Sequence, residues 1–122
     1  MPLAPKHILI VDDNDEILET VSIMLTRNDY RVTAKNRVEN FEQEVRSLSP
    51  DLILLDKNLG WVDGCDLCRL IKSISGLSAI PIIMFSAYYK RKEECMEAGA
   101  NNFLEKPFQM KILLEMIASY VR

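Results

Sequence analysis

The fold of this chain is decided by the stretch Asp51-Leu52-Ile53-Leu54-Leu55-Asp56, in which four consecutive apolar residues end in a carboxylate. A short run that is wholly apolar is typical of a strand buried on both faces, as in a parallel sheet covered by helices. A second run, Ile8-Leu9-Ile10-Val11, ends in the same way with Asp12 and Asp13. Because open parallel sheets present their functional groups beyond the carboxyl ends of the strands, we expect these carboxylates at one rim.

Strand-like and helix-like segments alternate along the chain on either side of these two runs. The predicted strands are Ile8–Val11, Tyr30–Ala34, Leu52–Leu55, Pro81–Phe85 and Asn102–Leu104. Amphipathic helical patterns follow them, beginning near Asn14, Val38, Leu67, Lys90 and Met110. The alternation predicts an α/β fold, a doubly wound five-stranded parallel sheet with five helices, and one domain over residues 1–122.

Composition and charge narrow the class of protein. The 122 residues are 48% hydrophobic and 27% charged, which is typical of one globular domain. The net charge of −3 offers no basic surface for direct nucleic-acid binding. No apolar stretch has the length of a membrane span, and the N-terminus lacks the apolar core of a signal peptide. The cysteine count of three, without a secretory signal, favours reduced thiols, so we expect a cytoplasmic protein without membrane contacts.

The residues that follow the predicted strands form a chemically coherent set: Asp12, Asp13, Asp56, Ser86 and Lys106. Clustered carboxylates repel one another unless a cation neutralises them. A metal ion, a hydroxyl and an ammonium group around one carboxylate are the parts that phosphoryl transfer needs, and an aspartate can be the covalent acceptor. We therefore predict a phosphoryl-transfer site with Asp56 as acceptor and with Ser86 and Lys106 contacting the phosphoryl oxygens.

Oxygen ligands predict the metal of this site. Carboxylates of Asp12, Asp13 and Asp56 suit a hard cation such as Mg²⁺, and the backbone carbonyl of Asn58 could complete the protein ligands. Mn²⁺ suits the same ligand types. Histidine and cysteine are absent from the set, which argues against zinc or copper.

With these residues in place, the chain resembles the receiver domains of two-component response regulators over nearly its whole length. The resemblance rests on Asp12-Asp13 after the first strand, on the strand ending in Asp56, on Asp63-Gly64, on Ser86-Ala87, and on the segment from Ala98 to Phe108 that contains Lys106-Pro107. Together these motifs are specific, although no single one would be.

The resemblance implies a flavodoxin-like strand order, 2-1-3-4-5, and a signalling cycle. Asp56 would accept a phosphoryl group from the phosphohistidine of a sensor histidine kinase or histidine phosphotransfer protein, or from a small phosphodonor, with Mg²⁺ bound nearby. Ser86 and Phe103 would be switch residues that change the face formed by the fourth helix, fifth strand and fifth helix. Such a domain is a switch rather than a conventional enzyme, although it catalyses its own phosphoryl transfer and slow dephosphorylation. The Lys106-Pro107 bond is often cis in this family.

Three other functions compete with this one. A haloacid-dehalogenase-type phosphatase needs a second aspartate two residues after the acceptor, where this chain has Asn58. A flavodoxin-type electron carrier needs a glycine- and hydroxyl-rich phosphate loop after the first strand, where this chain is acidic. A receiver-like interaction module that is never phosphorylated would keep the same fold, and that alternative stays open at this level.

Two further residue types have simpler interpretations. His7, the single histidine, is expected to be a surface residue at the start of the first strand. The motif Cys65-x-x-Cys68 has no second cysteine pair and does not directly follow a strand, so we interpret both cysteines as helix-packing residues. Trp61 lies in the loop after Asp56, where its fluorescence is expected to respond to metal binding.

Overall fold

Five parallel strands form one sheet in the order β2-β1-β3-β4-β5 within the part of the chain that the structure describes. The structure is a computed structural model that describes residues 4–121. In chain order the elements are β1 (His7–Val11), α1 (Asp15–Arg27), β2 (Arg31–Lys35), α2 (Phe41–Leu48), β3 (Leu52–Asp56), α3 (Gly64–Lys72), β4 (Ile82–Ser86), α4 (Lys92–Glu97), β5 (Asn102–Glu105) and α5 (Met110–Tyr120). A 3-10 turn, Tyr89–Arg91, leads directly into α4. The predicted doubly wound sheet and its strand order are confirmed.

The central strands are buried on both faces, as the apolar runs predicted. β1 pairs with β2 on one side and with β3 on the other, with Ile8 opposite Leu52 and Val11 opposite Leu55. Every residue of β1, β3 and β4 is buried. Burying an aliphatic side chain of this kind contributes about 1.5–3 kcal/mol. The carboxyl ends of β1 and β3 therefore lie side by side at the rim of a rigid sheet.

Alternate residues of the central strands pack into two separate hydrophobic layers. One layer lies against α2, α3 and α4, and its strand residues include Leu9, Val11, Ile53 and Leu55. The other lies against α1 and α5, and its strand residues include Ile8, Ile10, Leu52 and Leu54. This alternation follows from the two-residue period of a strand, and it explains why both faces of these runs are apolar.

Helix boundaries differ from the predicted ones where a polar side chain caps the backbone. α2 begins at Phe41 rather than near Val38, because the side chain of Asn40 accepts a hydrogen bond from the N–H of Gln43 at 3.1 Å. α1 is capped by Asn14, near which its helical pattern was predicted to begin, and the side chain of Asn14 accepts hydrogen bonds from the N–H groups of Glu16 and Ile17. The predicted helix from Lys90 begins as a 3-10 turn, and its α-helical part is only the six residues of α4.

The prediction that His7 is a surface residue is wrong. His7 is buried, and its Nε2 lies 2.7 Å from the Thr33 hydroxyl on the neighbouring strand. Its Nδ1 lies 3.1 Å from the carbonyl oxygen of Leu48. Because hydrogen bonds to two neighbouring elements satisfy the ring, the histidine is a structural residue. It lies at the amino end of β1, the end of the strand opposite the acidic rim.

Cys65 and Cys68 pack in the core as predicted, and Cys95 is buried with them. Cys65, Cys68 and Cys95 are free, buried thiols, and the Sγ atoms of Cys65 and Cys95 are 3.9 Å apart. Burial raises the pKa of the Cys65 and Cys68 thiols, so both are protonated at neutral pH. Among residues 4–121, no helix combines the length and apolar character needed to cross a membrane.

Candidate functional site

Three carboxylates meet where β1 and β3 end. Oxygen atoms of Asp12, Asp13 and Asp56 lie within 4.8 Å of one another. Asp12 and Asp56 are buried, at 0% and 4% exposure, whereas Asp13 is exposed. The pairing of β1 with β3 fixes this arrangement, since it brings the two strand ends to the same rim.

Lys106 reaches this cluster from the loop between β5 and α5. Its Nζ lies 2.8 Å from Asp12 Oδ2 and 3.2 Å from Asp56 Oδ2, so one ammonium group contacts both buried carboxylates. The backbone N–H of Lys106 donates to the carbonyl of Ser86 at 2.7 Å, which holds the loop against the end of β4. The ammonium also lies 4.9 Å from the centre of the Phe85 ring. The following Lys106-Pro107 peptide bond is cis.

Burial and crowding raise the pKa of Asp56. Loss of solvent around the carboxylate is the largest cause, and the nearby charge of Asp12 adds to it. Attraction and a hydrogen bond from Lys106 oppose the rise, and the pKa is raised to about 6. The cluster thus carries more negative charge than Lys106 alone can neutralise.

This excess charge and the donor atoms fit a hard divalent cation. The three carboxylates supply oxygen ligands only, the type that Mg²⁺ prefers, and the exposed Asp13 leaves one side open to ligands from solvent. Asn58, the other predicted ligand, lies beside Asp56, and its backbone N–H donates to Asp56 Oδ1 at 3.2 Å. These residues are the ones that would hold the metal.

The two predicted switch residues lie on adjacent strands, Ser86 at the end of β4 and Phe103 opposite Met84 in the middle of that strand. Ser86 is fully buried at the end of β4, and its Oγ accepts a hydrogen bond from the N–H of Tyr88 at 3.1 Å. Phe103 on β5 is buried, and its ring meets that of Tyr89 edge-on at a centroid distance of 6.3 Å. Phe103 is therefore buried in this structure, and the exposed Tyr89 packs against its ring.

Asp63 and Gly64 end the loop that follows Asp56, and the backbone there leaves no room for a side chain at position 64. Asp63 caps α3, with its Oδ1 accepting the N–H of Cys65 at 2.9 Å. A Cβ added to Gly64 would lie 2.1 Å from the carbonyl oxygen of Asp56. Glycine is required here because α3 begins directly against the backbone of Asp56.

We expect Gly64→Ala to lower the free energy of unfolding by about 2–3 kcal/mol, because the backbone of Asp56 must move to admit the methyl group. Urea denaturation followed by circular dichroism measures this loss. Gly76→Ala is the control, since a Cβ there meets nothing within 4 Å and only the positive φ of 91° is strained. An unchanged free energy of unfolding in Gly64→Ala would show that the close approach at Gly64 is unimportant.

Sequence reasoning missed the role of Lys57. This lysine is buried, and its Nζ lies 2.6 Å from Asp63 Oδ2 and 3.4 Å from Glu94 Oε1 on α4. Its position next to Asp56 and the acidic residue six positions later were visible signals, but Glu94 is distant in sequence. The sequence likewise did not reveal that the guanidinium of Arg37 lies 5.2 Å from the centre of the Trp61 ring.

A family model defines the class to which this fold and site belong. The model of the response regulator receiver domain matches residues 8–118, and the chain belongs to this family. A solved structure described as a response regulator from Chloroflexus aurantiacus superposes with a TM-score of 0.89 at 30% identity, covering 95% of this chain and 97% of that one. Receiver domains are signalling modules of two-component systems.

Two proteins of Pseudomonas aeruginosa illustrate the relatives. The receiver domain of the sensor histidine kinase PA1611 is 33% identical with a TM-score of 0.80, over 96% of this chain and 98% of that one, and its structure has a magnesium ion coordinated in the active-site cleft. The transcriptional regulatory protein GltR is 35% identical over 119 residues, which are 96% of this chain and 49% of that protein. This chain spans about half the length of the curated relatives that it matches.

Proposed function

We propose that this receiver domain accepts a phosphoryl group on Asp56 from the phosphohistidine of a sensor histidine kinase or a histidine phosphotransfer protein. The observation that carries the proposal is the contact of the Asp56 carboxylate with Lys106 Nζ at 3.2 Å, within the cluster that Asp12 and Asp13 complete. Two buried carboxylates that share one ammonium are unfavourable for a purely structural role. A carboxylate with a raised pKa in such a cluster is the expected signature of a reactive site.

The residues divide the chemistry of the transfer among them. An oxygen of Asp56 forms a bond to phosphorus, while the bond from phosphorus to the donor breaks and the leaving group takes its electron pair. Lys106 faces the negative charge of the phosphoryl oxygens, and the Ser86 hydroxyl donates a hydrogen bond to one of them. Ser86 Oγ acts as an acceptor in its bond with Tyr88, so its own hydrogen remains available for donation.

We further propose that Mg²⁺ binds to the carboxylates of Asp12, Asp13 and Asp56 and to the carbonyl of Asn58. Mn²⁺ can bind to the same ligands. When bound, the ion supplies positive charge to the phosphoryl oxygens. The support is the all-oxygen donor set and the negative charge that Lys106 leaves uncompensated. The cation also lowers the cost of holding two buried carboxylates side by side.

The output of the switch is proposed to pass through the face of α4, β5 and α5, because Ser86 and Phe103 lie at its edge.

We propose that the chain itself spans one receiver domain and works in the cytoplasm, where its kinase is phosphorylated. We also propose that it does not bind nucleic acid, since its net charge is −3. Several relatives of twice its length are named as regulators of transcription or DNA-binding response regulators.

Asp56→Asn is expected to abolish phosphorylation while the fold is retained. The amide nitrogen cannot be a phosphoryl acceptor, yet the side chain keeps the shape that packs against Lys106. The measurement is the intact mass after incubation with acetyl phosphate and Mg²⁺, with Asp66→Asn, an exposed carboxylate on α3, as the matched control. A phosphoryl group on both the wild type and Asp56→Asn would contradict the assignment of the acceptor. No phosphoryl group on any of the three proteins would favour the module that is never phosphorylated.

Asp13→Ala is expected to weaken Mg²⁺ binding by at least about tenfold, since it removes one of few charged protein ligands. Trp61 fluorescence can follow the titration, because the loop that carries it approaches Asp13: a Cβ added to Gly60 would lie 3.4 Å from Asp13 Oδ2. Asp15→Ala, at the exposed start of α1, is the control. An unchanged titration of Asp13→Ala would count against the metal assignment.

A further inference from the structure

Lys57 is a buried lysine directly after the acceptor residue. Only 6% of its surface is exposed, which is rare for lysine, a residue that is almost never buried without a partner. Its partners come from two different elements: Asp63, which caps α3, and Glu94, in the middle of α4. Burial lowers the pKa of Lys57, but the hydrogen bond and charge of Asp63 and the charge of Glu94 outweigh it, so the pKa is raised. The side chain is therefore a permanent cation between two elements.

The backbone of Lys57 closes the base of the loop formed by residues 57–64. Its N–H donates to the carbonyl of Phe85 on β4 at 2.9 Å, and its carbonyl accepts the N–H of Gly64 at 2.7 Å. Asn58, the next residue, contacts the acceptor through its N–H and pairs with Asp63 across the loop. A group bound to the oxygens of Asp56 therefore acts on the loop of residues 57–64, and the backbone of Lys57 holds the base of that loop.

The same side chain connects this loop to the output face. Glu94 lies in a helix of six residues, and its Oε1 is 3.4 Å from Lys57 Nζ. Next to this contact, Cys65 at the start of α3 packs against Cys95 of α4, with 3.9 Å between the sulfur atoms. A short helix has few interactions of its own to hold it, so the contact with Lys57 adds to the packing of Cys95 in fixing its position.

We propose that Lys57 is a positioning residue that couples the acceptor site to α4 through Asp63 and Glu94. By holding the loop of residues 57–64 in place, it preorganises the ligands around Asp56, and through Glu94 it links that order to the order of α4. Coupling of this kind is reciprocal. A ligand that orders the loop also orders α4, and a change that loosens α4 lowers the affinity of the site for that ligand. The inference rests on the proposed function of Asp56 as the acceptor.

Beryllofluoride with Mg²⁺, a stable mimic of a phosphorylated aspartate, is the probe that tests this coupling. We expect Lys57→Met to weaken its apparent affinity, read from Trp61 fluorescence, by about three- to tenfold, and Glu94→Gln to weaken it less. The double variant is expected to resemble Lys57→Met, because both substitutions remove the same contact, the one between Lys57 and Glu94. In the wild type, beryllofluoride should slow hydrogen exchange of the α4 amides, and this response should be lost in Lys57→Met and in Glu94→Gln.

The controls separate this inference from loss of fold and from the proposed function. Glu93→Gln changes an exposed neighbour on the same helix and should behave as the wild type. Glu94→Gln tests the same link at a side chain that is 39% exposed, so the test stands even if Lys57→Met does not fold. If the variants bind beryllofluoride as the wild type does and α4 still responds, the coupling role is overturned while Asp56 remains the acceptor. If the wild type neither binds beryllofluoride nor accepts a phosphoryl group, both proposals fail.

Discussion

Asp56→Asn is expected to be more stable than the wild type at pH 7–8 in the absence of divalent cations, by about 2–3 kcal/mol. Burial and the neighbouring charge of Asp12 raise the pKa of Asp56 from its ordinary value of 3.8 to about 6 in the folded protein. The folded state therefore binds this proton more tightly than the unfolded state does. Its contribution to stability is complete below pH 4 and is lost as the pH rises through about 6.

The comparison of the two proteins over a range of pH isolates this effect from other titrating groups. Urea denaturation at pH 4, 5, 6 and 8 in EDTA should give nearly equal stabilities at the lowest pH and a growing advantage for Asp56→Asn above it. Asp66→Asn should follow the wild type throughout. Mg²⁺ at pH 8 should stabilise the wild type more than Asp56→Asn, because it binds the carboxylate that the variant lacks. A constant difference across the pH range would refute the raised pKa of Asp56 in the folded protein.

Most of the fold could be predicted because its signals are local. The short apolar runs at Ile8–Val11 and Leu52–Leu55 favour strands with two buried faces, and the alternation with helices then limits the topology. The candidate site followed from the same logic, since parallel strands deliver their carboxyl ends to one rim. Asp12, Asp56 and Lys106 are brought together in the structure in the way that this logic predicts.

What the sequence concealed depends on contacts between distant residues. The burial of His7 depends on Thr33 and Leu48, which approach it only when β2 and α2 are in place. The pairing of Lys57 with Glu94 depends on where a short helix lies, and no periodicity encodes that. Charged and polar residues look alike in a sequence whether water or a buried partner satisfies them, so their burial was the least predictable feature.

Lys106→Met is expected to have the second large effect, on both rate and stability. Lys106 is the ammonium in contact with the carboxylates of Asp12 and Asp56, at 2.8 and 3.2 Å. Its loss should slow phosphorylation by acetyl phosphate by about a hundredfold, the usual effect of removing one preorganised group that stabilises developing negative charge. Its loss also leaves buried carboxylates unpaired, which should lower the free energy of unfolding at pH 8 by about 3 kcal/mol.

The pH dependence and a second substitution distinguish this mechanism from simple damage to the core. Because Lys106 lowers the pKa of Asp56, its removal raises that pKa further, so the instability of Lys106→Met should shrink at pH 5, where the carboxyl group takes up a proton. In the Asp56→Asn background the same substitution should cost less, since one of its two carboxylate partners is already neutral. Lys111→Met, on the exposed surface of α5, is the matched control and should change neither rate nor stability. If the cost of Lys106→Met were the same at both pH values and in both backgrounds, the lysine would be acting through its packing and not through its charge.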